Sequence, residues 1–317
     1  MNDAPRTPGQ RAWNRFRRNR AASLSAWFLG LVFILIVSWP IALAIGPSIG
    51  PAGRSFYKTH QAETVSDDQF QSPNRAHWFG TDVHGRDLAA RVIHGARISL
   101  LVGIVGAIVS LIIGVLWGAI AGYAGGRVDE AMMRFVDILY SLPSIIFVIV
   151  LITTLEGAFK SWLDSSHSAT LTRSARLLFL FFGLGAVSWL TMARIVRGQV
   201  LSLRNRPFVD ASRAIGASPV HILARHVIPN TLGIVIVYLT LTIPAIILYE
   251  SFLSFLGLGI QPPMASWGSL IAEGADQINP IRIYWWLIAF PGGFLVSTLL
   301  ALNFVGDGLR DAWDVKG

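Results

Sequence analysis

The chain of 317 residues contains no cysteine, which excludes disulfides and thiolate metal sites. Charge is also scarce. Asp, Glu, Lys and Arg together make up 14% of the residues, against about 25% in soluble domains. Only three lysines occur, Lys58, Lys160 and Lys316, and none completes the pattern G-x-x-x-x-G-K-[ST], so a phosphate-cradling loop of that type is missing. H-E-x-x-H does not occur either, and no internal repeat is visible at the level of motifs, which argues against repeat-built secondary carriers. The chain is therefore not expected to be an enzyme, to hydrolyse ATP alone or to hold a metal or other cofactor.

What is abundant is hydrophobic sequence. Apolar residues make up 53% of the chain, and the mean hydropathy is +0.55. A helix crossing about 30 Å of hydrocarbon needs about 20 mostly apolar residues. Six runs qualify: 22–45, 98–123, 135–155, 177–193, 227–249 and 283–306. Five are free of charge, and 135–155 carries only Asp137 near its start. A charge at a helix centre costs about 2.5–3.5 kcal/mol on insertion scales, so such clean runs imply an all-α membrane protein with six transmembrane helices. The run 177–193 is the shortest. Leu142-Pro143 and Ile243-Pro244 are expected to kink their spans.

The net charge of +8 points to membrane orientation rather than to nucleic acid, because the arginines cluster beside the apolar runs. Arg6, Arg11, Arg15, Arg17, Arg18 and Arg20 precede the first run, and Arg194, Arg197, Arg204, Arg206, Arg213 and Arg225 lie between the fourth and fifth. The positive-inside rule puts both groups in the cytoplasm, and an even number of crossings between them is consistent with that. The first run is too long for a secretory leader, and no small-residue cleavage site follows it. The resulting layout has a basic cytoplasmic tail at 1–21, a first transmembrane helix at 22–48 and an extracytoplasmic loop at 49–96. A five-helix core at 97–306 and a cytoplasmic tail at 307–317 follow. No secondary structure is expected in the Arg-rich N-terminus or in the polar stretch 54–75.

One cytoplasmic segment stands out. Residues 208–215 can form a short helix, with Gly216 placed to close it in a left-handed conformation. Ser218-Pro219 supplies an N-cap and a first-turn proline for a second short helix, and Pro229 sits where that helix is expected to yield to the fifth span. Ala211, Ser212, Ala214, Ala217 and Ser218 let another surface approach the backbone closely. A bracing hairpin that serves only its own chain is the alternative. Asp210-Ala211-Ser212, then Gly216, then Pro229 resembles the E-A-A…G…P signature of membrane subunits of ABC importers, with Asp in place of Glu and Ser in place of the second Ala.

Further blocks are similar to the oligopeptide and dipeptide permease C subunits of that family. They are His77 to Asp87 (H-W-F-G-T-D-V-H-G-R-D), Gly95 to Leu100, Gly122 to Asp129, Trp189 to Gln199, Glu250 to Gly259 and Phe304 to Ala312. The resemblance implies a type I ABC importer permease fold in the bacterial inner membrane, with both termini cytoplasmic. The implied complex has a second permease subunit as heterodimer partner, two cytoplasmic ATPase subunits that use ATP and Mg, and an extracytoplasmic peptide-binding protein. The hairpin 207–229, through Asp210, Ala211, Ser212, Gly216, Ala217 and Pro229, would be the coupling helix that engages an ATPase. The implied cargo is oligopeptides or dipeptides; another solute such as a nickel chelate, or a secondary carrier, is the alternative.

Two features stand beside the resemblance. In the block Gly80, Thr81, Asp82, Gly85, Arg86 and Asp87, either Thr81 or Asp82 is expected to cap a short helix through Arg86, Leu88, Val92 and Ile93. A metal site from His77, Asp82, His84, Asp87 and His94 is the weaker reading, since no paired-ligand signature appears. Glu250 closes a long apolar run; it is expected to line the transport path, to meet the second permease subunit, or to sit at the outer interface.

Overall fold

The computed structural model describes residues 8–48, 50–165, 169–262 and 264–313. Arg6 of the basic tail and positions 314–317 of the C-terminal tail lie outside the described residues. The secondary structure of the described residues is almost entirely helical: α1 (Pro8–Arg18), α2 (Arg20–Ile45), α3 (Pro51–Thr59), α4 (Leu88–Ala124), α5 (Gly126–Tyr140), α6 (Ser144–Ser165), α7 (Ala169–Leu203), α8 (Pro207–Ala214), α9 (Pro219–Ile222), α10 (Ile228–Phe255), α11 (Trp267–Ala275) and α12 (Trp286–Trp313). An isolated β-bridge joins Thr81 to Asp87. Gly46 to Gly50 fits the bare pattern G-x-S-x-G of a nucleophile elbow, but Gly46–Ser48 follows α2 as a 3-10 turn rather than a strand. The match therefore carries no chemistry.

Five stretches among the described residues are long and apolar enough to cross a membrane: Arg20–Ser48, Leu88–Ala124, Leu178–Leu203, Pro219–Phe255 and Trp286–Trp313. A sixth crossing exists only if α5 and the first half of α6 are taken together, and these are bent by 93°. The expected kink in 135–155 is thus a full break. Pro143 has no N–H to donate and disfavours helical geometry at Leu142, so the chain leaves one helix and starts another. The fourth span is longer than its apolar core because α7 continues for ten residues beyond Ala193, carrying Arg194 and Arg197 inside the helix. Pro244 lies within the unbroken α10. Structure also appears where none was expected. In α1, Ala12 and Phe16 are buried one turn apart, and α3 occupies the start of the 54–75 stretch.

The chain forms two compact units. One comprises Met1–Asn19, Gly103–Ile246 and Gly306–Gly317; the other comprises Arg20–Val102 and Ile247–Val305. They are called the hairpin unit and the loop unit below.

In the hairpin unit, Gly114, Gly118 and Gly122 recur every fourth residue and so share one face of α4. A Cβ at Gly114 would lie 2.6 Å from that of Met192, one at Gly118 would overlap the carbonyl of Ala193, and one at Gly122 would lie 2.9 Å from the carbonyl of Arg197. Small residues of this kind let membrane helices pack backbone to backbone. The seated helix α7 then serves two clusters. Met192, Val196 and Val200 pack with Val209, Ile222 and Val227 at the root of the 207–229 segment. Trp189, Leu190 and Ala193 pack with Met133 and Val136 of α5.

In the loop unit, Trp267 at the start of α11 is fully buried. Its indole N–H donates to the Val92 carbonyl (3.1 Å), and its backbone N–H donates to Ser99 Oγ (3.1 Å). A Cβ at Gly95 would come within 3.2 Å of Ser266, which explains the glycine at that point of α4.

Candidate coupling hairpin

Helix α8 starts on Pro207, whose fixed φ suits a first turn. It ends as its sequence predicts: Gly216 has φ +80°, its N–H donates to the Arg213 carbonyl (2.9 Å), and Ala217 N–H donates to the Ser212 carbonyl (3.1 Å). This pair of bonds is the Schellman closure, which satisfies carbonyls the helix would leave unpaired. Ser218 Oγ then accepts from His221 N–H (3.3 Å) and caps α9. Val209, Ser212 and Ile222 are buried at the root, whereas Phe208, Asp210, Ala211, Ala214, Ile215, Gly216 and Val220 are exposed. Ile215 is 85% accessible, and a Cβ built on Gly216 would meet nothing within 4 Å. Among the described residues Asp210 pairs with its neighbour Arg213 (3.1 Å) at the surface. The outcome is a small-residue ridge with two apolar tips facing away from the chain.

The expected break at Pro229 does not occur. Residues Leu223–Val227 form a wide π turn that joins α9 to α10. Ile228 N–H reaches the Leu223 carbonyl five residues back, and the Asn230 side-chain amide donates to the His226 carbonyl (2.5 Å). The wider turn and the Asn230 side chain accommodate a proline that cannot donate and would crowd the preceding turn.

Two arginines of α7, Arg194 and Arg197, are paired inside the hairpin unit. Arg197 forms a two-pronged bond to Asp129 of α5 (Nε–Oδ1 2.5 Å, Nη2–Oδ2 2.7 Å), and Asp129 is buried. Three residues earlier, Arg194 bonds Asp137 (2.7 Å) and lies 4.1 Å over the Tyr140 ring. Arg204 donates to the Gly122 carbonyl (3.1 Å). None of these partners was apparent from sequence. The spacing G-x-x-x-G-x-x-x-G at 114–122 is the signal that could have shown α4 and α7 to be close neighbours.

The glycine-rich block before α4 proves to be an ordered turn. Asp82 Oδ1 accepts from the backbone N–H groups of His84 (2.8 Å) and Arg86 (3.0 Å). Its Oδ2 accepts from Arg86 Nε (2.7 Å) and Arg91 Nη1 (2.7 Å). Glu273 of α11 binds Arg91 through both oxygens (2.5 and 3.0 Å) and Arg86 through one (3.2 Å). Thr81 Oγ1 donates to the Asp68 carbonyl and accepts from Gln71 N–H. Gly80 and Gly85 both have positive φ, and a Cβ would overlap Gln71 at the first and Ser66 at the second.

Neither Thr81 nor Asp82 caps a helix here. The left-handed turn at Gly85 and the bridge between Thr81 and Asp87 delay the helix until Leu88, and Asp87 Oδ1 takes the cap from Ala90 N–H (2.8 Å). The short helix expected through Arg86 is the opening of α4 itself. Asp87 Oδ2 also bonds His77 Nδ1 (2.9 Å), and His60 Nδ1 lies 3.3 Å from Oδ1 without hydrogen-bond alignment. Among the described residues no His, Asp or Glu group is arranged to hold a metal ion.

Glu250 has no accessible surface in this chain. Its Oε1 accepts from Ser254 Oγ (2.6 Å), while Oε2 and the Ser251 hydroxyl have no hydrogen-bond partner among the described residues.

Comparison with known proteins places this geometry. Residues 114–316 match the family described as binding-protein-dependent transport system inner membrane component, and residues 7–73 match the N-terminal TM domain of oligopeptide transport permease C. The oligopeptide transport system permease protein OppC of Haemophilus influenzae is 43% identical over 311 residues, covering 97% of this chain and 88% of the relative. The OppC protein of Escherichia coli is 43% identical, at 97% and 91% coverage. The dipeptide transport system permease protein DppC of Bacillus subtilis is 40% identical, at 97% and 85% coverage. An inward-facing structure of the MetNI methionine ABC transporter superposes with a TM-score of 0.53 at 17% identity, over 70% of this chain and 95% of that one. That likeness bears on the fold alone. Taken with the helical spans and the exposed hairpin, these matches show that the chain belongs to the family of inner membrane permease components of binding-protein-dependent ABC transport systems.

Proposed function

We propose that this chain is one of two membrane subunits of an importer that carries oligopeptides or dipeptides into the cytoplasm, with ATP hydrolysed by partner subunits. The observation that carries the reading is the hairpin of α8 and α9. Its ends are closed by the Schellman bonds and the Ser218 cap, yet Ala211, Ala214, Gly216 and the apolar Ile215 and Val220 are exposed. A surface of that kind suits a groove on a soluble partner, since small residues permit close approach and exposed apolar tips gain by burial. The chain has no phosphate loop of its own, so energy for uphill transport has to enter through such a contact.

In this reading the hairpin and both termini are cytoplasmic, two ATPase subunits sit beneath the two permease subunits, and an extracytoplasmic binding protein delivers the peptide. Closure of the ATPases on ATP displaces the hairpin, and the membrane helices exchange inward-open and outward-open arrangements. The ordered 60–87 segment, stiffened by Asp82, Arg86, Arg91 and Glu273, would face the binding protein. The long similarity to oligopeptide and dipeptide permeases supports peptide as cargo. The test is uptake of defined peptides by the assembled complex in vesicles. ATP-dependent accumulation of peptides is expected; transport of a non-peptide solute with no peptide uptake would overturn the cargo assignment.

A further inference from the structure

The hairpin and the bent pair α5–α6 do not touch through any described hydrogen bond or ion pair, yet both rest on α7. Met192, Val196 and Val200 face the hairpin root, while Trp189, Leu190 and Ala193 face α5. Helical spacing continues the second stripe one turn further: Leu190 leads to Arg194 and Ala193 to Arg197. Those two arginines are the ones bonded to Asp137 and Asp129 of α5.

We propose that the ion pairs Arg197–Asp129 and Arg194–Asp137 are the mechanical link by which displacement of the hairpin is passed through α7 to α5, and thereby to the break at Ser141–Pro143. The inference rests on the coupling role proposed for the hairpin and adds the residues that carry its motion onward.

Three observations support a rigid link. The Arg197–Asp129 pair is two-pronged, which fixes orientation as well as distance, and its carboxylate is buried, where separation would leave an uncompensated charge. Trp117 of α4 closes the same site, with its indole N–H on the Met132 carbonyl (3.3 Å) and its ring edge against Trp189 (5.1 Å between centroids). The glycine face of α4 holds α7 at backbone distance along Gly114, Gly118 and Gly122, so α7 moves as a rod rather than by rearranging side chains. Nine residues lie between Arg197 and Pro207, and α7 is continuous through six of them. Beyond α5 the chain bends by 93°, where Pro143 interrupts the hydrogen-bond ladder.

The experiment uses the complete transporter in proteoliposomes, with peptide uptake and ATP hydrolysis read from the same vesicles. Asp129→Asn and Arg197→Lys are expected to lower peptide imported per ATP hydrolysed by roughly 2- to 30-fold. The exchange Asp129→Arg with Arg197→Asp should recover part of that loss, which would show that the pair, rather than either residue alone, carries it. Arg194→Gln, at the more exposed pair, gives the same direction with a smaller loss and serves if the Asp129 variant fails to assemble.

Because the chain has no cysteine, spin labels can be placed uniquely at Glu130 and Ala214. Their distance should stay sharp between nucleotide states in the native chain and broaden in the Asp129→Asn background. An unchanged import-to-hydrolysis ratio in both Asp129→Asn and Arg194→Gln would overturn the link. So would a Glu130–Ala214 distance that already changes with nucleotide in the native chain. Gly216→Trp separates the two proposals: uncoupling there without any effect at the ion pairs removes only the link, whereas normal transport by Gly216→Trp removes the hairpin's role itself.

Discussion

The hairpin unit holds eighteen basic and ten acidic residues, and the loop unit holds eight of each. The whole net charge of the chain therefore belongs to one unit. In the loop unit the charges that matter are turned inward: Asp82, Asp87 and Arg91 are buried, and Arg86, Arg91, Asp82 and Glu273 satisfy one another. In the hairpin unit Asp210 and Arg213 lie at the surface of α8 and pair only loosely. Two polar segments, one in each unit and each carrying Gly, Asp and Arg, thus use their charges in opposite ways. One uses its charges to order its own backbone. The other orders its backbone with caps and leaves its outer face exposed.

The contrast predicts where substitutions act. The largest effect is expected at Arg91. Replacement by Ala strands Asp82 and Glu273 beside a single remaining guanidinium in a mostly buried site, a loss of about 3–5 kcal/mol, seen as failure to accumulate or as early thermal unfolding in detergent. Gly85→Ala should follow at about 2–3 kcal/mol, because the residue has φ +69° and the added methyl would overlap Ser66.

Gly216→Ala tests the same backbone strain without the collision: φ is +80° and the surroundings are open, so about 1 kcal/mol is expected, and Gly216→Asn should cost less because Asn tolerates the left-handed region. Equal losses at Gly85 and Gly216 in parallel melts would break the comparison. Smallest in stability is Asp210→Lys, within about 0.5 kcal/mol at an exposed pair. Its expected effect is on import per ATP hydrolysed, and native coupling in that variant would show that the outer face of α8 is not a docking surface.

Much of the architecture was legible in advance. The charge-free runs located the spans because uncompensated charge in hydrocarbon is costly, and the Pro207, Gly216 and Ser218-Pro219 punctuation located both short helices because caps are local chemistry. The misreadings have a common cause. The 177–193 run looked short because Arg194 and Arg197 were counted as its end, whereas Asp137 and Asp129, some 60 residues earlier, allow α7 to carry them. Thr81 and Asp82 looked like caps, but the Gly85 turn and the Asp87 bridge assigned that role to Asp87. Pro229 looked like a terminator, and the π turn with the Asn230 amide absorbed it. In each case a partner outside the local window decided the outcome.

By itself the sequence determined the helical membrane class, the approximate spans, the capped hairpin and the family, since all of these follow from runs and motifs that need no distant partner. Tertiary structure alone decided which charges are spent internally. It brought Glu273 to Arg86 and Arg91 across more than 180 residues, enclosed Glu250 among serines, and set Arg197 on Asp129. Such pairings depend on which helix faces meet, and a one-dimensional pattern carries the face of each helix but not the identity of its neighbour.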